Sequence, residues 1–154
     1  MSEMNFSLCK PKSSQDWNVY HQIRKESIFD PINVTYDLNH PSLTNRNNHH
    51  FCFFHENQII GTLQIEKLND NKVCIRTIVI EKNQRNRGFG SILLKLAETK
   101  SLELGASIIH LHGSPEAKSF YLRNGYKEML FPDDISINSE TIDFGKYLNN
   151  KDWR

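Results

Sequence analysis

Ile78-Val79-Ile80-Glu81-Lys82-Asn83-Gln84-Arg85-Asn86-Arg87-Gly88-Phe89-Gly90-Ser91-Ile92-Leu93-Leu94 is the stretch on which the reading of this chain turns. Three β-branched residues make a strand end. A loop follows whose two glycines allow unusual φ and leave backbone N–H groups uncovered. An apolar helical pattern then begins, and the first N–H groups of a helix have no internal partner, so they favour an anion. With Arg85 and Arg87 beside them, these parts read as a pyrophosphate cradle or as a plain loop-to-helix junction. Two nucleotide motifs fit poorly. A G-x-G-x-x-G fingerprint would need glycine where Leu93 stands, and no G-x-x-x-x-G-K-[ST] spacing exists.

Upstream, Phe6-Ser7-Leu8-Cys9 reads as a short strand. Ser14 or Asp16 is placed to cap a helix over Trp17, Val19, Tyr20, Ile23 and Ile28, which Pro31 ends. Arg24 and Glu26 are assigned to its polar side, with a surface ion pair as the expectation. Residues 31–49 are polar and predict an irregular segment with about one helical turn. Three strands follow, near residues 51–54, 59–67 and 73–80, joined by short turns into an antiparallel meander.

Downstream, a helix is expected from about Gly88 to Leu104, with Gly105 as its C-cap. A strand covers Ser107 to His112, and a helix starts at Pro115 and stops before Gly125. Tyr126 to Leu130 and Thr141 to Leu148 read as a closing strand pair. The predicted fold is a mixed α/β (α+β) domain with a mostly antiparallel sheet of about six to seven strands and about four flanking helices.

The 154 residues suit a single domain, 1–154, with a core over about 4–148 and a short polar tail at 149–154. Nineteen basic residues against 18 acidic ones leave a net charge of +1, unlike the basic footprint of a nucleic-acid binder. No apolar run approaches the ~18 residues of a membrane span, and the N-terminus lacks a signal-peptide pattern, so a cytoplasmic protein without nucleic-acid or membrane partners is expected. Cys9, Cys52 and Cys74 form no C-x-x-C motif and read as buried, reduced thiols.

Arg85, Gly88 and Gly90 after the β-branched strand resemble the [Q/R]-x-x-G-x-[G/A] motif of the GNAT N-acetyltransferase superfamily. Ala117-Lys118-Ser119-Phe120-Tyr121-Leu122-Arg123-Asn124-Gly125-Tyr126 is similar to that family's A-x-x-[FL]-Y-x-x-x-G-[FY] pattern, and the two stand in the family's order with a helix and a strand between them. The resemblance implies direct acetyl transfer from acetyl-CoA, with CoA as product, to the primary amine of a small molecule or peptide. It implies cofactor contacts at Ile78, Val79 and Ile80, where two strands part, and at Arg85, Asn86, Arg87, Gly88, Phe89, Gly90 and Ser91. Ser114 stands where many members carry an asparagine that holds the cofactor. Tyr121 is the implied proton donor to the departing thiolate; its alternative is a packing role.

His110 and His112 share one face of a strand. His110 is the candidate base and His112 a candidate acceptor contact, the alternative for each being an internally satisfied ring. Tyr36, Asp37 and His40 fall where the family places its substrate-facing segment; the alternative there is a self-capped loop. No metal is expected, although His49 and His50 could be grouped with His110 and His112. The rival function is a catalytically silent acyl-CoA-binding module acting as a sensor or partner. An exposed last strand could pair with a second subunit to give a homodimer.

Overall fold

The computed structural model describes residues 5–69, 71–133 and 140–148. The tail at 149–154 lies outside them. Seven strands form one sheet: β1 (Phe6–Cys9), β2 (Asn48–His55), β3 (Gln58–Lys67), β4 (Lys72–Ile80), β5 (Ile108–Gly113), β6 (Lys127–Glu128) and β7 (Ile142–Tyr147), in the order β1-β2-β3-β4-β5-β7-β6. Among the described residues only β4 and β5 run parallel; the other pairs are antiparallel. The expected meander is β2-β3-β4. Among the described residues three α-helices accompany the sheet, α1 (Ser14–Arg24), α2 (Phe89–Glu103) and α3 (Lys118–Arg123), close to the expected count of about four.

Helix α1 starts one residue earlier than expected. Ser13 is the N-cap: its Oγ accepts from Asp16 N, and Asp16 Oδ2 accepts from Lys12 N. Such a cap is worth ~1 kcal/mol. The helix does not run on to Pro31. A π turn over Lys25–Phe29 and a 3₁₀ turn over Asp30–Ile32 replace its last stretch.

Alternation along the strands makes two unlike faces. Leu63, Ile65, Val73, Ile75, Ile109 and Leu111 face α2 and α3 and form the apolar core with Phe89, Leu93, Leu94, Tyr121 and Phe144. The face toward α1 is polar. There Tyr20 Oη meets His50 Nδ1 at 2.6 Å, and Arg24 Nη2 donates to Gln64 Oε1 at 2.9 Å. Arg24 is therefore not on the solvent side of α1 as expected; it is 4% exposed. Its position four residues after Tyr20 places it on the helix's buried stripe, and it makes no surface ion pair with Glu26, which accepts from Gln22 instead.

The last strand is not the edge of the sheet, because β7 lies between β5 and β6. The edges are β1 and the two-residue β6. Cys52 and Cys74 are buried and reduced as expected, and burial pushes both thiols up to about 12, which keeps them protonated and unreactive. Cys9 is only half-buried.

Candidate active site

β4 and β5 pair only from Lys72↔Ile108 to Ile75↔Leu111. Beyond that point they part. The cause is local: the β3–β4 register jumps from Ile65↔Ile75 to Gln64↔Thr77, so Arg76 is an extra residue that bends β4. From Arg76 to Ile80 the β5-side edge of β4 carries no strand among the described residues, and Ile78, Val79 and Ile80 pair there with β3 alone. The bulge also turns Arg76 and Thr77 to the α1 face, Arg76 bonding Glu66 and Thr77 standing opposite Gln64, while Ile78 and Ile80 pack toward the apolar core.

The loop after β4 delivers the start of α2 to this gap. Asn86 (φ 64°) and Gly88 (φ 81°) are both left-handed. Gly88 is the N-cap, offers no side chain to the helix, and no acidic residue sits in the first turn. The amides of Phe89, Gly90 and Ser91 are thus left for an anion. The side chains of the motif do other work. Arg85 Nε donates to Ile80 O at 2.8 Å, tying the loop to the strand end. Arg87 donates to Gln84 and lies over the Phe89 ring. Phe89 itself is buried against Phe6 and His55, so only its backbone remains for a ligand. A Cβ on Gly90 would stand 3.3 Å from the Phe120 ring, so that glycine serves the approach of α3 to α2.

Gly113, past the last β4–β5 pair, brings Tyr121 to the gap. A Cβ there would come within 2.9 Å of both Tyr121 Cε2 and Phe144 Cε2. Tyr121 is 7% exposed, wedged among Phe120, Tyr126 and Phe144, and burial pushes its phenol up to about 12. Its hydroxyl has no hydrogen-bond partner among the described residues, and nothing in the sequence marks Gly113 as its support. Ser114 follows at the N-cap of a 3₁₀ turn, Pro115–Ala117; its hydroxyl makes no capping bond and is exposed.

The two strand histidines face the opposite side, toward α1. His110 stacks flat on Phe131 at 4.4 Å, its Nδ1 is buried without a partner, and burial lowers its pKa, so it is neutral at pH 7. His112 has both ring nitrogens against carboxylates, Nδ1 at 2.7 Å from Asp143 and Nε2 at 2.9 Å from Asp133. Asp133 also meets Arg76, which joins Glu66. In this arrangement His112 has no ring nitrogen left for an acceptor. Sequence reasoning missed that chain of charges, because it joins residues up to 57 positions apart.

In the 31–49 segment Tyr36 is half-buried, as are Val34, Ser42 and Leu43, while Asp37 and His40 are exposed. Tyr36 Oη meets His21 Nδ1 at 2.6 Å. Asp37 Oδ1 accepts from Asn39 N, and His40 Nδ1 accepts from Ser42 N, both local caps. His50 Nε2 lies 2.9 Å from Ser42 O, a contact only an N–H can make, so Nδ1 accepts the Tyr20 hydroxyl. Burial lowers His50 to about 4, in agreement with that neutral tautomer. A groove of about 370 Å³ between this side and the loop is lined by Ile23, Glu26, Pro31, Glu81 and Arg85. No cluster of three or more metal-ligating side chains occurs among the described residues, and none of their helices is long and apolar enough to cross a membrane.

The model of the acetyltransferase (GNAT) family matches residues 14–126, and the chain belongs to that family. Among curated relatives it is 27% identical, over 122 residues, to the Bacillus subtilis (strain 168) protein named "Putative acetyltransferase BSU40680"; the match covers 77% of this chain and 81% of that one. Among solved structures it superimposes on a GNAT-family acetyltransferase from Staphylococcus aureus Mu50, with a TM-score of 0.74 and 18% identity, over 94% of this chain and 99% of that one. The PaiA N-acetyltransferase of Thermoplasma acidophilum in complex with coenzyme A gives a TM-score of 0.67 at 17% identity, covering 96% and 99%. At those identities the structural likeness speaks for the fold.

Proposed function

We propose that the protein transfers an acetyl group from acetyl-CoA directly to the primary amine of a small molecule or peptide. One observation carries the reading: β4 and β5 part beside an uncapped helix N-terminus, and Tyr121 stands at that parting with its hydroxyl unpartnered among the described residues. The amides of Phe89, Gly90 and Ser91, with Arg85 and Arg87 near them, would hold the pyrophosphate. The open edge of β4 over Ile78, Val79 and Ile80, with Ser114 across the gap, would hold the chain that leads to the thioester. A bound acetyl-CoA supplies an activated acyl group.

The chain's own residues then divide the work. Amides on the free β4 edge donate to the thioester oxygen as charge builds there. Tyr121 keeps its proton at neutral pH and gives it to the departing sulfur. His110, neutral and on the opposite face of β5, takes a proton from the acceptor's ammonium and so frees the amine lone pair that attacks the thioester carbon. Acid and base thus stand on the two sides of the parted sheet.

The silent-module reading draws on one fact: His112, Asp37 and His40 are engaged within the protein, which leaves few free bases. Release of CoA thiol from acetyl-CoA with a panel of primary amines separates the two. Amine-dependent release supports the enzyme; CoA binding without release from any amine supports the module.

A further inference from the structure

The face of the sheet toward α1 holds a charge without a counter-charge. Arg24 ends α1, and the π turn behind it is a helix irregularity that recurs at functional sites. Nη2 is spent on Gln64, but Nε and Nη1, which carry three of the five N–H donors of a guanidinium, are buried without a partner. No carboxylate pairs with it among the described residues. Its surroundings are the rings of Tyr20, Tyr36 and Phe29, whose centroids lie 5.0, 5.6 and 6.0 Å from Cζ. The Tyr20 hydroxyl donates to His50 Nδ1 and also lies beside the guanidinium, in a geometry that gives neither Nε nor Nη1 a hydrogen bond. Rings attract a cation but do not replace the hydrogen bonds that a buried charge lost with water.

The unpaired donors and acceptors extend beyond one side chain. Six buried side-chain polar atoms lack a partner among the described residues, and five lie on this face: Arg24 Nε and Nη1, Thr62 Oγ1, Thr77 Oγ1 and His110 Nδ1. Native interiors satisfy nearly all such atoms, so a concentration of orphans on one face needs a cause. Thr77 stands opposite Gln64 and one residue past the bulge where β4 leaves β5, so Arg24 reaches the sheet next to the parting.

We propose that this is an acceptor subsite for an anionic oxygen group, and that the acceptor is an amine that also carries a carboxylate. The carboxylate would take N–H bonds from Arg24 and the hydroxyl of Thr77, between the flat walls of Phe29 and Tyr36. A monoanion fits because Arg76, the other guanidinium on this face, is paired with Glu66 and Asp133, which leaves Arg24 the cation there without a carboxylate among the described residues, and a planar group fits because its walls are rings. Both rings are half-buried, and Tyr36 rides on a segment without strand or α-helix, so its turning aside opens the site. The proposal rests on the amine-acetylation reading above and names its substrate class.

The test uses the full chain and equilibrium binding, which needs no turnover. Glycine, β-alanine, 4-aminobutyrate and 6-aminohexanoate, which vary the distance from amine to carboxylate, are titrated by calorimetry in the presence of CoA. Each is compared with its neutral primary amide, and 3-aminopropylphosphonate is added as the phosphate-like arm. At least one amino acid should bind tenfold or more tighter than its amide and tighter than the phosphonate. That preference should fall to within twofold in Arg24→Met and survive in part in Arg24→Lys, each checked for a cooperative melt.

Equal binding of acid and amide in the wild-type protein across the series, no binding by any of them, or a preference for the phosphonate would overturn the proposal; so would an acid preference that persists in Arg24→Met. CoA release from neutral amines without any acid preference would sink this inference and leave the acetyltransferase reading standing. Acid-selective binding without CoA release from any amine would do the reverse.

Discussion

Gly113 and Tyr121 occupy one space: a methyl group on the glycine would come within 2.9 Å of the tyrosine's Cε2. The end of β5 is thereby kept bare so that the ring of α3 can lie against the sheet where β4 and β5 separate. Gly113→Ala should displace Tyr121 and Phe144 together and cost ~1–3 kcal/mol of stability. It should also lower kcat more than it weakens CoA binding, because the loop proposed to hold the pyrophosphate is elsewhere. Melting and steady-state kinetics check both. A variant with normal Tm and normal kcat would show that the close approach is relieved without consequence.

The loop glycines separate in the same way. A Cβ on Gly88 meets nothing, but its backbone is left-handed at φ 81°. Gly88→Val should therefore act through the backbone, turning the α2 amides away from the phosphates at a folding cost of ~1–2 kcal/mol. Gly90→Val should act on packing against Phe120. In the wild-type protein, CoA at a hundredfold excess over Kd should add ~2.7 kcal/mol of stability. Gly88→Val should lose most of that gain; an undiminished CoA-induced rise in Tm would move the pyrophosphate elsewhere.

Acid should weaken the fold through His50. Its pKa is about 4 in the folded protein against 6.5 ordinarily. Below pH 6.5 the unfolded chain takes up a proton that the folded site refuses, so stability falls from about pH 6.5 to about pH 4 and levels off below. Above 6.5 the group contributes no slope. The full effect is on the order of 3 kcal/mol. His21, His49 and His110, all lowered by burial, act in the same direction. Urea unfolding at pH 7.5, 6 and 5 should show the decline, and His50→Gln should flatten it; an equal slope in both proteins would remove His50 from the account.

The strands, the α2 start and the order of elements were legible because they follow from local pattern: β-branched runs, turn residues and glycine at helix ends. The parting of β4 from β5 was not, except through family resemblance, since a bulge is a mismatch between two strands and leaves no mark in either alone. Arg24 was misassigned because its charge outweighed its spacing from Tyr20; spacing was the better guide. Gly113 was passed over because its role depends on a ring eight residues away and on Phe144 in another strand. The charges around His112 depend on the register of β5 with β7, which composition does not encode.

The central claim is that Tyr121 protonates the departing thiolate. The direct measurement is kcat of Tyr121→Phe across pH, with chemistry shown to be rate-limiting and CoA affinity measured beside it. The ring still packs against Gly113 and Phe144, so CoA affinity should hold. kcat at neutral pH should fall by ~10²–10⁴-fold. The loss should shrink above the ~8.5 pKa of a free thiol, where the leaving thiolate needs no proton. A kcat within twofold of wild type at every pH would contradict the account and leave Tyr121 as a packing residue.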